Sequence, residues 1–199
     1  MSLRASYTLL APIYDSVLRR ASHRLRAASL SFLDVPEGAP VLVAGIGTGL
    51  DIPHLPLGPR YVGLDLTHAM LARVPRGRAD IALVQGDVMR LPFLDASFAA
   101  VVLHLIVSVV PHPARCLAEA ARVARPGARL LVLDKFLRPG QRAPFRRAFN
   151  GVSRRLATRL DVVFEHELAA APTLEIERDT PVLAGGWFRS IALRKRMER

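Results

Sequence analysis

One cysteine, Cys116, stands among 199 residues, so no intrachain disulfide can form. The opening MSLRASYTLLAPIYD carries no readable export signal, and the expected setting is a reducing cytoplasm. One thiol and scattered histidines cannot build a structural zinc site, and no metal is expected. Long hydrophobic runs are missing too: the longest, Phe98 to Val110, is 13 residues, includes His104 and Ser108, and is too short for roughly 30 Å of hydrocarbon. Aromatic residues make up only 6% of the chain. Without an aromatic–basic stacking platform, nucleic acid is an unfavoured partner even at a net charge of +11. Acidic residues are absent altogether from Lys135 to Leu160.

What is present is enough to fold. Hydrophobic residues are 51% of the chain and mean hydropathy is +0.24, which excludes disorder because burial can offset the ordering entropy. The length predicts one domain over 1–199, with an N-terminal cap helix within 1–35 and a basic helical insertion over 137–162. The positive charge sits in the flanks: residues 34–134 carry nine charges of each sign, whereas 135–160 carry +8. In that basic stretch Phe145, Phe149, Val152, Leu156 and Leu160 form one helical stripe. Two readings of it stay open. Either the stripe is core and the arginines are a solvated rim, or a basic amphipathic helix meets anionic lipid or an anionic substrate. Asn150-Gly151 interrupts both.

Short apolar runs punctuate the rest: VLVAG (41–45), YVGLD (61–65), IALVQ (81–85), FAAVVLHL (98–105) and RLLVLDKF (129–136). Continuous rather than alternating hydrophobicity predicts strands covered on both faces, hence a parallel sheet with crossover helices. Helical segments are expected from His68 to Val74 and from Ala114 to Ala124, the latter ended by Pro126-Gly127. TLEIERD (173–179) alternates, and a last strand from Trp187 to Leu193 follows Gly185-Gly186, predicting an edge hairpin.

The first strand runs into Gly45-Ile46-Gly47-Thr48-Gly49. A dinucleotide fingerprint would need its third glycine at Leu50, and the Asp51, Pro53 and Pro56 that follow break the helix a pyrophosphate needs. Asp65 ends the second strand, where a carboxylate can accept both ribose hydroxyls of an adenosine; capping the next helix is the alternative. Gly86-Asp87 repeats the pattern at the third strand. Three tips converge on a nucleoside-sized site.

These residues carry a resemblance. VLVAGIGTGLD, YVGLDLTHAML, GDVMRLPFLDASFAAVVLHL and LAEAARVARPGARLLVLDKF resemble the class I S-adenosylmethionine-dependent methyltransferases over residues 5 to 195. In particular the chain resembles the phospholipid (phosphatidylethanolamine) N-methyltransferase and ubiquinone/menaquinone C-methyltransferase groups, and YTLLAPIYD is similar to a Tyr-x-x-x-Ala-x-x-Tyr-Asp pattern shared by both. The resemblance implies a Rossmann-like α/β fold: a seven-stranded, mostly parallel sheet with helices on both faces and an antiparallel C-terminal hairpin. It also implies S-adenosylmethionine as cofactor, S-adenosylhomocysteine as product, and cofactor contacts at Gly45, Gly47, Gly49, Asp65, Gly86, Asp87 and Val88; Ile46, Leu66 and His104 at the strand tips are expected beside them, and Tyr14, on one helix face with Tyr7, either covers the cofactor or packs onto the sheet. Two positions depart from the pattern. Val43 stands where an acid usually precedes the first glycine, and Ala99 where Asp follows Ser97-Phe98. Losing the first acid removes a charge-assisted bond near the cofactor's amino group, a kind worth roughly 1.5–3 kcal/mol.

Methyl transfer from a sulfonium asks the protein chiefly to align the nucleophile and exclude water. An amine nucleophile also needs a proton acceptor. His104, at the fourth strand tip, is the expected base, with a histidine hydrogen-bonded in the cleft wall as the alternative. Lys135 and Tyr7 are expected at the substrate. The expected acceptor is lipid-like or membrane-presented, such as phosphatidylethanolamine, with peripheral contact at an anionic inner membrane surface. C- or O-methylation of a quinone or other small molecule is the runner-up, and a non-catalytic cofactor-binding partner protein is the alternative from another class.

Overall fold

The computed structural model describes residues 23–140, 161–182 and 188–197. The expected lid residues Tyr7 and Tyr14, the basic stretch 141–160 and the Gly185-Gly186 turn lie outside them. Residues 23–30 form a helix, the cap helix α1. Seven strands follow: β1 (Pro40–Ala44), β2 (Arg60–Asp65), β3 (Ile81–Gln85), β4 (Phe98–His104), β5 (Ala124–Lys135), β6 (Leu174–Pro181) and β7 (Phe188–Lys195). Helices α2 (His68–Leu71), α3 (Pro113–Val123) and α4 (Phe164–Leu168) lie between them.

The strands make one sheet in the order β3-β2-β1-β4-β5-β7-β6. Strands β1 to β5 pair in parallel, while β7 runs antiparallel to β5 and to β6. This is the Rossmann-like arrangement expected. Continuous hydrophobicity is explained by two cores, one on each face. Leu42 and Ala44 of β1, with Val101 and Leu103 of β4, pack into one; Val41 and Val43, with Ala100 and Val102, pack into the other. Chain order reverses between β1 and β4, so the crevice opens at their carboxyl ends.

One expected boundary shifts. The helix stops at Val123 because Ala124 is already extended (φ −71°, ψ 140°) and Arg125, preceding a proline, is disfavoured in the helical region. Pro126-Gly127 therefore belongs to the irregular start of β5, where its register with β4 slips. The expected edge hairpin is present: β7 pairs with β5, buries Ile191 and Leu193, and carries mostly exposed β6 as the outermost strand. Around the basic stretch, Leu137 N–H donates to the Val162 carbonyl at 2.8 Å and both residues are buried. The chain thus leaves and returns at one point.

Candidate active site

Strand β1 ends in a turn whose first two glycines both take the left-handed conformation that glycine adopts without strain. Gly45 (φ +77°) would put a Cβ 2.7 Å from Ile106 Cγ1, closing the contact between the β1 and β4 tips. Gly47 (φ +58°) has nothing within 4 Å of its Cβ position, so its bare backbone faces the crevice. Gly49 serves packing instead: its Cβ would meet Ile52 Cδ1 at 2.8 Å. The segment after it is a three-residue 3-10 turn, Ile52–His54, as the prolines require.

Asp65 ties the first two tips together. Its Oδ2 accepts the Gly47 N–H and its Oδ1 the Thr67 N–H, both at 3.0 Å. Burial pushes its pKa up from the usual carboxylate value, opposed by those N–H bonds. A carboxylate offers about four acceptor positions, so capacity remains for hydroxyls. At the third tip Asp87 Oδ1 accepts the Met89 N–H at 2.8 Å.

The three strand tips open into one cleft. It is lined by the expected Gly45, Ile46, Gly47, Asp65, Leu66, Asp87, Val88 and His104, but not by Gly49 or Lys135. These residues fit an adenosyl cofactor: open backbone at Gly47, carboxylates at two adjacent tips and apolar walls at Ile46, Leu66 and Val88. Sequence reasoning missed Thr48, Met70, Arg26 and the stretch Leu105, Ile106, Val109–Pro111, which also line the cleft. Leu105 has φ +58°, a left-handed conformation rare outside glycine and typical of sites held under tertiary constraint.

His104 occupies the wall. Its side chain is fully buried, with Nδ1 2.7 Å from Asp51 Oδ1 and Nε2 2.9 Å from Ser29 Oγ of the cap helix. The strand tip alone suggests an open ring; α1 covers it. Behind the wall, buried Asp134 accepts from Ser108 N–H (2.8 Å), Ser108 Oγ–H (2.6 Å) and Lys135 N–H (2.7 Å), stapling the loop after β4 to the tip of β5. Burial raises the Asp134 pKa against these bonds, and burial lowers that of the Lys135 amine. Buried Cys116 has its thiol pushed up to about 12, chiefly by burial, and is inert. Among the described residues no His/Cys/Asp/Glu group could hold a metal, and no helix is long and apolar enough to cross a membrane.

A family profile described as a methyltransferase domain matches residues 42–132. The chain is 32% identical over 191 residues to a phosphatidylethanolamine N-methyltransferase of Cereibacter sphaeroides, covering 92% of this chain and 93% of that one. It is 38% identical over 122 residues to a demethylmenaquinone methyltransferase of Beutenbergia cavernae, covering 60% of this chain but 51% of that one. In fold it is similar to the [4+2]-cyclase SpnF, with TM-score 0.81 at 17% identity over 98% of this chain and 96% of that one.

Proposed function

Since the chain belongs to the S-adenosylmethionine-dependent methyltransferases, we propose that its acceptor is a lipid-like amine presented at a membrane, of the phosphatidylethanolamine type. The observation that carries this reading is similarity along nearly the whole chain to a phosphatidylethanolamine N-methyltransferase, covering 93% of that protein. The Beutenbergia quinone relative aligns over only 60% of this chain. Charge adds support, since the basic stretch over 135–160 has no acid and an anionic leaflet attracts such a segment. The whole of 1–199 acts in this reading as one domain, with α1 as its cap and 137–162 as a basic insertion.

When bound, S-adenosylmethionine supplies a methyl group on a sulfonium, a leaving group already activated by its charge. The chain's part is to bind and align. Asp65 receives ribose hydroxyls, Asp87 and Val88 the adenine side, and the turn of Gly45, Ile46 and Gly47 the methionine end, with Leu66 beside the ribose. His104 takes the proton that the amine releases, once the Ser29 hydroxyl gives way. Tyr14 completes the cofactor's cover, and Tyr7 and Lys135 meet the substrate.

The direct test incubates the protein with methyl-labelled S-adenosylmethionine and vesicles containing phosphatidylethanolamine. Label should move into the organic phase as methylated amine lipid. Label appearing only on a quinone, or only in soluble products, overturns the lipid reading. His104→Ala should lower turnover at least tenfold while cofactor affinity stays within a factor of about three, because a group acting on the nucleophile contributes mainly in the transition state. Unchanged turnover removes His104 from the chemistry.

A salt-dependent vesicle experiment tests the membrane contact. Each arginine near an anionic surface contributes about 1 kcal/mol, fading within roughly 10 Å at 0.1 M salt. Sedimentation with anionic vesicles should be strong at low salt and largely lost by about 0.5 M. Replacing Arg146, Arg147, Arg154 and Arg155 with glutamine should abolish it without changing S-adenosylmethionine affinity. No sedimentation of the parent protein at any salt would favour a soluble acceptor.

A further inference from the structure

Four side chains that no motif links meet where the cap helix crosses the cleft. Asp51, two residues past the glycine turn, is 2% exposed. Its Oδ1 lies 2.8 Å from Arg26 Nη1 and 2.7 Å from His104 Nδ1, while His104 Nε2 is 2.9 Å from Ser29 Oγ. Arg26 and Ser29 are three apart on α1 and share its inner face; both are buried. One strand of the sheet, through His104, and the cap helix, through Arg26, thus close on a single carboxylate.

The chemistry of the node restricts the imidazole. Burial by itself would raise the Asp51 pKa, but the charges and hydrogen bonds of His104 and Arg26 outweigh it and hold the carboxyl well below its usual range. An ionised carboxylate can only accept, so Nδ1 must donate to it. In the neutral ring Nε2 is then left to accept from the Ser29 hydroxyl.

We propose that Asp51 is a positioning residue: it locks His104 in the Nδ1-protonated tautomer and so makes Nε2 the ring's only proton-accepting atom. A proton released by an acceptor amine goes to Nε2, giving an imidazolium whose Nδ1–H stays on Asp51. The Ser29 hydroxyl gives way as the proton arrives and can then return as acceptor of the new Nε2–H, because a hydroxyl does both. The consequence for turnover rests on the reading of His104 as the base; the tautomer does not.

Long-range proton–nitrogen correlation spectra of the histidine-labelled full chain, saturated with S-adenosylhomocysteine and recorded over a pH series so that the neutral ring is identified from its own nitrogen shifts, read the tautomer directly. His104 should show a pyrrole-like Nδ1 and a pyridine-like Nε2. In Asp51→Asn, whose amide can donate as well as accept, the two nitrogens should move toward averaged shifts, and kcat should fall at least tenfold with the KM for S-adenosylmethionine within threefold. A protonated Nε2 in the parent, or an unmoved His104 signature in Asp51→Asn, overturns the proposal. If that variant does not fold, the parent spectrum alone decides. Unchanged turnover in His104→Ala together with the expected spectrum would reject only the base reading.

Discussion

Asp65→Ala should weaken binding of both S-adenosylmethionine and S-adenosylhomocysteine by roughly 10- to 150-fold in titration calorimetry. Two charge-assisted hydrogen bonds to the ribose would disappear together, a loss of about 1.5–3 kcal/mol. The same carboxylate holds the Gly47 and Thr67 N–H groups at 3.0 Å, so the variant also releases the turn that shapes the cleft. Because burial raises the Asp65 pKa, affinity in the parent should begin to fall on acidification at a higher pH than an ordinary carboxylate would give. An unchanged dissociation constant in Asp65→Ala would show that the side chain is a turn staple alone.

Asp51→Ala should cost about 3–5 kcal/mol of unfolding free energy at pH 7, measured by urea denaturation, since removing one partner of a buried ion pair leaves the other charge uncompensated. Here the orphaned group is Arg26, with His104 losing its acceptor as well. The pH dependence has a definite sign. Asp51 in the folded chain is held below its unfolded value, near 3.9. Its contribution is therefore fully present above that value and is lost as pH falls toward the folded one. The gap between parent and Asp51→Ala should narrow between about pH 5 and pH 3. A gap that stays constant across that range would mean the charge of Asp51 carries none of the stability.

Much of this architecture was legible in local sequence, and what was not has a common cause. The central parallel strands are written as unbroken apolar runs because they are covered on both faces by the two cores that flank the sheet; β3 reads the same way, yet as an edge strand it has no buried residue and leaves Leu83 exposed. The glycine turn, Asp65 and Asp87 are legible because a strand tip in an open α/β sheet must meet the crevice, whatever the loops do. The departure at Val43 is equally plain, and the structure shows it 1% exposed, an apolar core residue in place of an acid. Beyond the tips, sequence distance hides what matters. Nothing in the spacing of Arg26, Ser29, Asp51 and His104 marks them as one cluster, because hydrogen bonds between residues 75 and 53 positions apart exist only once α1 has docked across the β1 and β4 tips. The same holds for Asp134, which reads as one more strand-end acid until Ser108 closes on it. Secondary structure and the strand-tip site follow from short-range pattern and the rules of parallel sheets; the partners of buried polar groups follow from burial itself, which forces each to find a hydrogen bond wherever the chain brings one within reach.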